Sequence, residues 1–296
     1  MTRLRLTFVT PLFSKGSYED RPEVRPPSIR GQLHWWFRAL GGSAAEENAV
    51  FGSVHSKPVH ASKVVVRVTQ PHDGIDDPAK TAEINTLPHK HGGQASPKWA
   101  FNPGTTFDLL LSERLGGLSD PQRNSFRCTL EAWLLLGTLG LRSTRAAGSF
   151  IWEVLEPGGL PLENPPATFE DYRSRCVRIL QGARLRFFLL AEQYSSAEAA
   201  RVDVSDTLGG RDDRQGESDL ARLNHPLGRV FGGRKTSPLR FRIIRLAADD
   251  FRIAAVWDDR EEVTGNKSGD LVGVARLLAD RGKPIGTQLA RAISQP

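Results

Sequence analysis

Cysteine and methionine are nearly missing from this 296-residue sequence, which holds two of the first and one of the second. Cys128 and Cys176 have no paired spacing, which excludes a cysteine-based zinc site and disfavours a disulfide framework. Both fall in segments of helical pattern and read as small core residues. No apolar run reaches membrane-spanning length, and the opening MTRLRLTFV is too short in its apolar stretch, with no small-residue cleavage site, to be a secretory leader. A cytoplasmic protein without membrane contact is the expectation. Also lacking are a Walker loop, a Rossmann glycine pattern, a Gly-x-Ser-x-Gly elbow, short repeats and low-complexity tracts.

What is present is ordinary for a soluble protein in bulk, 39% hydrophobic and 25% charged, but basic, with net charge +6 and pI near 9.6. Such a balance favours polyanionic partners. The charge is also local. Residues 1–70 carry ten Lys/Arg against five Asp/Glu, and residues 229–245 carry six cations and no acid. Most are arginines, suited to bidentate phosphate contacts, a bias that a GC-rich genome also produces.

The densest signal is RPPSIRGQLHWWFRALGG, Arg25 to Gly42. Its prolines keep Arg25 to Pro27 extended, Ser28 is a good N-cap, and Gly41-Gly42 supplies a stop, so a helix is expected from Ile29 to Leu40. Ile29, Leu33, Trp36, Phe37 and Leu40 share one sector, while Arg30, His34 and Arg38 line another at four-residue steps. Trp35 lands beyond that line, where an indole needs a second surface or a flat ligand. The segment has no acid to pair these cations along the helix, which leaves them for an outside anion. Gly31 costs a helix about 0.5–1 kcal/mol and makes sense where another backbone approaches closely. A solvated amphipathic helix is the plainer alternative.

Around this helix the pattern gives strands at Leu4–Phe13, Ser62–Val68 and Thr105–Leu111, a helix from Pro121 through Phe126, Leu130, Trp133, Leu134 and Leu136, and a strand at Phe150–Leu155. Strand, helix, strand, strand, helix, strand is the ferredoxin-like order. Gln70–Pro97, rich in Pro, Gly, Asp and His, reads as a long inserted loop, mobile in the free chain. Glu156–Pro166 reads as a linker between domains at 1–157 and 167–296. The second part shows a helix at Phe169–Leu180, a strand at Leu185–Leu190, a partly mobile mixed-charge stretch at Tyr194–Leu223, a hairpin of Leu239–Leu246 with Phe251–Trp257, and a helix at Gly269–Ala279. No initial strand for a second ferredoxin-like unit is visible, so that unit reads as degenerate.

The helix motif, then FGS at 51–53, ASKVVVRV at 61–68, the loop LRSTRAAGSF at 141–150 and GGRKTSPLRFRII at 232–244 occur in an order that resembles the RAMP superfamily of CRISPR effector proteins, nearest the subunit-one type of the type III-B Cmr complex. The match from Arg25 to Gly42 is nearly complete. His34 stands where that pattern commonly has arginine, and Ala146-Ala147 replaces part of a glycine-rich loop. The resemblance implies an α+β fold of tandem ferredoxin-like, RRM-like domains, antiparallel sheets with helices on one face, and a place in a multi-subunit complex that destroys target RNA.

The expected RNA-binding residues are Arg25, Ser28, Arg30, His34, Trp35 and Arg38 on the helix, Lys63 at a strand start, Arg142, Arg145, Gly148 and Ser149 in the loop, and Arg234, Lys235, Arg240 and Arg242 in the second part. Glycines let backbone N–H groups reach a phosphate, and arginines beside them add charge. Alternation puts Arg240 and Arg242 on one strand face, expected to meet RNA or an acidic neighbour and to tolerate charge reversal without loss of fold. His72, Asp73, Asp76, Asp77, His89 and His91 have no metal-ligand spacing, so no metal or other cofactor is expected. The leading expectation is a non-catalytic subunit holding guide RNA, with target RNA a further candidate ligand and other RAMP subunits as partners. The alternatives are a metal-independent endoribonuclease centred on His34, His55 or His60, and a scaffold that touches only protein.

Overall fold

The computed structural model describes residues 1–15, 21–54, 59–69, 80–208, 237–264 and 271–294. Its first half runs β1 (Thr2–Phe8), α1 (Pro26–Ala39), α2 (Ala44–Phe51), β2 (Val64–Val68), β3 (Thr81–Asn85), β4 (Pro97–Phe101), β5 (Thr106–Glu113), α3 (Asp120–Leu136) and β6 (Phe150–Glu156). Alternation in β1 turns Leu4, Leu6 and Phe8 into the core and leaves Arg3 and Arg5 on the other face. The strand pairs antiparallel with β5 and β6, giving the sheet order β2-β5-β1-β6 of a ferredoxin-like unit. Helices α1 and α3 bury Leu33, Trp36, Leu130 and Trp133 against it. On the outer face Asp108 is buried, which by itself would raise its carboxyl pKa. Arg5 at 3.0 Å and Arg3 at 2.6 Å nevertheless hold it below the usual carboxylate range.

Several elements depart from the sequence reading. Part of the expected loop Gln70–Pro97 is folded: β3 and β4 form a hairpin in register Thr81↔Phe101 to Asn85↔Pro97, with Ile84 and Ala100 packed on Phe13 and Ala147. Residues 70–79, with His72, Asp73, Asp76 and Asp77, lie outside the described residues. Helix α2 has no counterpart among the elements expected from the sequence, and Ser43 and Glu46 close a capping box at its start. In the stretch expected to be partly mobile, Ala197–Thr207 is a helix capped by Ser196.

The second half continues with α4 (Phe169–Ile179), β7 (Leu185–Leu189), α5 (Ala197–Thr207), β8 (Leu239–Arg245), β9 (Phe251–Asp258), α6 (Glu261–Thr264), α7 (Leu271–Asp280) and α8 (Pro284–Ser294). The final helix expected at Gly269–Ala279 is thus followed by one more. Its antiparallel sheet has order β7-β9-β8 and both faces covered. Phe241, Ile243, Ile253, Ala255 and Trp257 pack on α5, α7 and α8, while Ile244, Ala254 and Val256 join the cluster that begins at Leu4. The segment 157–166 is pinned: Leu160 is buried, Trp152 Nε1 donates to the Glu163 carbonyl at 3.0 Å, and Arg175 donates to that of Asn164 at 2.7 Å.

Cys176 sits fully buried in α4, and burial pushes its thiol from the ordinary 9.0 up to about 12. Below that ordinary value the thiol is protonated in both folded and unfolded chains. Above it the unfolded chain ionises first, so stability is lost as pH rises towards about 12. Urea midpoints are expected to fall through this window and to fall less in Cys176→Ala. Equal falls would assign the alkaline loss to other groups, such as buried Tyr172, whose phenol is also pushed up.

Candidate nucleic-acid interface

Helix α1 begins three residues earlier than its sequence pattern indicated. Arg25, extended at φ −106° and ψ 121°, is the N-cap, and the two prolines occupy the first turn, where their missing donors cost nothing. Ser28 is therefore an exposed first-turn residue and not the cap. Gly41, at φ +93°, ends the helix as expected.

The line of cations is partnered from outside the helix. The turn at Gly41-Gly42 folds α2 back so that Glu47, 8% exposed, meets α1. Its carboxylate lies 2.5 Å from His34 Nδ1 and 3.7 Å from Arg38 Nε. Arg30 donates to the Phe51 carbonyl and to His34 Nε2, the latter at 3.4 Å, and the His34 ring lies 4.4 Å from that of Phe51. This corrects the expectation that Arg30, His34 and Arg38 are left without partners: the acid is supplied by the next helix. Arg38 keeps a side chain 54% exposed, and Arg25 is exposed.

Trp35 has the second surface its position required. The Arg240 guanidinium lies 3.8 Å from its ring centroid and that of Arg260 5.3 Å, with Trp36 edge-on at 4.8 Å. Asp258, fully buried, holds Arg260 through bonds of 2.9 and 2.8 Å. Burial pushes Arg240 down to about 10, against the pull of Asp258, which leaves it cationic at neutral pH. Arg240 and Arg242 do share a strand face, but that face is turned inward. Arg242 is 3% exposed, donates to the carbonyls of Gly137 at 2.6 Å, Trp133 at 3.3 Å and Phe150, and lies 4.6 Å from the Phe150 ring centroid. The expectation of a basic face meeting RNA there is corrected, because β8 is covered on both sides. Arg234 and Lys235 lie outside the described residues, as does His55.

The loop between α3 and β6 divides. Gly148 and Ser149 serve the interior, which corrects their expected phosphate contact. A Cβ on Gly148, at φ +67°, would stand 2.0 Å from the Leu139 carbonyl oxygen, so the close approach made there is to the loop itself. Ser149 Oγ donates to the Ala146 carbonyl at 2.8 Å and accepts from the Ile243 N–H at 3.1 Å, tying the loop to β8. Arg145 is partly buried beside Phe241, whose N–H reaches the Thr144 carbonyl at 3.1 Å. Arg142, at φ +59°, and Leu141 remain exposed. Lys63 Nζ reaches Gln122 Oε1 at 3.0 Å. His89 is partly buried, with its imidazole pushed down by desolvation and Nδ1 2.7 Å from Ser205 Oγ. Among the described residues no group of three His, Cys, Asp or Glu is placed to hold a metal, and no helix is long and apolar enough to cross a membrane.

Gly31 is the feature of α1 that internal packing does not explain. A methyl group there would meet nothing within 4 Å. At about 100° per residue it lies between His34 and Arg38 on one side and Trp35 on the other. The backbone approach expected at Gly31 is thus not made by any described part of this chain. An open strip remains, floored by glycine, with cations along one edge and the Trp35–Arg240 stack along the other. That shape and charge suit the backbone of a single strand of nucleic acid. The acid in trans, Glu47, escaped the sequence reading because only the α1–α2 turn brings it near, although its capping box was visible as Ser43-x-x-Glu46.

The RAMP superfamily model matches residues 5–151. The sequence is 32% identical over 188 residues to the CRISPR system Cmr subunit Cmr1-1 of Pyrococcus furiosus, covering 54% of this chain and 51% of that protein. With Cmr1-2 of the same organism it is 37% identical over 71 residues, 21% of this chain and 36% of that protein. The chain therefore spans about half, or less, of the length of these curated relatives. In structure it is similar to the apo crystal form of Pyrococcus furiosus Cmr1, with TM-score 0.53, 17% identity and 87% of each chain covered. It is similar also to a chain of the Type III-B Cmr-beta complex bound to cognate target RNA, with TM-score 0.54, 12% identity, and 87% of this chain and 94% of that one covered. At such identities the likeness is one of fold. Since residues 5–151 hold α1, α3, β2, β5 and parts of β1 and β6, this N-terminal half of the chain belongs to the RAMP superfamily.

Proposed function

We propose that this chain is a non-catalytic RNA-binding subunit of a type III-B-like CRISPR effector complex in antiviral defence, holding guide RNA through backbone contacts, with target RNA a further candidate ligand, beside other RAMP subunits. The relatives point to the complex. The observation that carries the RNA contact is the uncovered Gly31 strip between Arg38 and Trp35. Contacts of this kind position a strand without reading its sequence.

Gly31→Ala separates ligand from scaffold. The added methyl meets no atom of the described residues beyond its own turn of helix, so it is expected to stabilise the helix by about 0.5–1 kcal/mol while weakening RNA binding. Arg38→Ala is expected to lower the log–log salt slope by roughly 0.7 for one lost single-strand contact. Chemical denaturation and fluorescence anisotropy with unrelated RNA sequences check both. A Gly31→Ala protein that is more stable and binds RNA as tightly as before would remove the strip from the RNA path.

The runner-up, a metal-independent endoribonuclease, has one observation in its favour. His34 Nδ1 and the Glu47 carboxylate, 2.5 Å apart, form a pair able to pass a proton. Incubation of the purified chain with repeat RNA in chelator is expected to give no cleavage. Cleavage that vanishes in His34→Ala would reverse the assignment.

A further inference from the structure

Trp99 is the one exposed Phe, Trp or Tyr among the described residues, with 43% of its surface accessible, and it stands on β4, just past the stretch Gln70–Pro97 expected as a loop. The hairpin is fixed. Leu12 and Phe101 exchange backbone hydrogen bonds at 3.0 and 3.1 Å, which clips β4 to the segment after β1. On the opposite side of that segment the Leu141 N–H donates to the Phe13 carbonyl at 2.7 Å, which clips on the loop before β6. Residues 13–15 thus floor a cleft of about 190 Å³ with Pro97, Lys98, Trp99 and Glu83 on one wall and Leu141 on the other.

Single exposed apolar side chains need no explanation, but here an indole and a leucine, 41% exposed, line one cleft with the exposed lysines Lys15 and Lys98 and the hydroxyl of Ser14. Arg142, exposed next to Leu141, adds a cation at the rim. Glu83, opposite Trp99 in the hairpin register, is the single acid of the lining and keeps phosphate to the lysine side. A flat apolar face with cations beside it is the chemistry of a base stacked on an aromatic ring with its phosphates neutralised.

We propose that this cleft takes one unpaired nucleotide of single-stranded RNA, its base stacked on Trp99 and its flanking phosphates on Lys98 and Lys15. The inference rests on the reading of the chain as an RNA-binding subunit and gives that reading a second contact point, on the hairpin side of the sheet, separate from the Gly31 strip.

The purified full chain is titrated with labelled single-stranded RNA of unrelated sequences, and RNA carrying thiouridine is cross-linked to it and the attached peptide mapped. Trp99→Ala is expected to weaken binding roughly 5- to 150-fold, as loss of one stacked base does, with Trp99→Phe close to the parent protein. Lys98→Ala is expected to lower the salt slope by roughly 0.7, and the cross-link is expected within 97–101. Because Trp99 is exposed, unchanged thermal unfolding of Trp99→Ala shows that the fold survives; if it does not, Trp99→Phe and the cross-link decide. Parent-level affinity in Trp99→Ala with no cross-link to the hairpin would overturn the inference, leave RNA binding intact and give the cleft to a protein neighbour. A parent chain that binds no RNA at all would instead remove the RNA-subunit reading, and this site with it.

Discussion

Arg242→Glu is expected to abolish folding, and Arg242→Ala to cost about 3 kcal/mol or more. The guanidinium is the partner of the Trp133 and Gly137 carbonyls at the C-terminal end of α3 and of the Phe150 carbonyl at the start of β6. A cation there meets the negative end of the helix dipole and satisfies acceptors buried away from the surface. Two effects oppose one another. Burial penalises the charge, which is why its pKa is pushed down, whereas removing it strands the buried Gly137 and Phe150 carbonyls, leaves Trp133 only its bond from the Gly137 N–H, and empties the space of the stem. The second is larger, because each unsatisfied carbonyl costs about 1–3 kcal/mol and the cavity adds to it. Met, which restores the stem alone, should fall between Ala and the parent protein, while a carboxylate would face carbonyl oxygens directly. Urea denaturation of the three variants checks the order. An Arg242→Glu protein with the parent midpoint would put the side chain back on a solvated strand face, where alternation alone placed it.

That reversal shows where the sequence stops being informative. Periodicity carried the elements whose one face is wet: β1 with Arg3 and Arg5 outside, α1 with its Trp36 sector inside, and α3 with a Ser119 capping box. It failed where both faces are covered. In β8 the alternation Leu, Arg, Phe, Arg, Ile reads as one dry and one wet side, yet the arginine side is closed by α3 and Trp35, a relation created only by packing the two sheets together. The β3–β4 hairpin was hidden for another reason. It contributes Ala100 and the partly buried Ile84 to the small cluster with Phe13 and Ala147 and Phe101 to the main core, and β3 itself, TAEIN, has one large apolar residue, too little pattern to stand out among glycines and prolines. At the interface the residue types of α1 were readable, but not their partners, since Glu47 and Phe51 reach them from the next helix.

Adjacent residues of the same type, Trp35 and Trp36, should separate the two roles of α1. Trp36 is 1% exposed and packs in the cluster of Leu33, Phe37 and Trp133, so Trp36→Ala is expected to cost about 3–5 kcal/mol through lost burial and the cavity left behind. Trp35 is only partly buried, and its ring carries Arg240, whose Nε has no hydrogen-bond partner among the described residues. Trp35→Ala is expected to cost less, about 1–2 kcal/mol for a largely desolvated cation–π contact, and to free the Arg240 guanidinium from its ring. Binding should divide the other way. Folded Trp36→Ala protein, held at low temperature or below its urea transition, should keep the affinity and salt slope of the parent chain, because Gly31, Arg38 and the Trp35–Arg240 stack remain and only the edge contact of Trp36 with Trp35 is lost. Trp35→Ala should weaken RNA binding at every sequence tried, having lost one edge of that strip. Equal stability losses with equal binding losses would mean that both indoles act only as core, and that the RNA path does not cross α1.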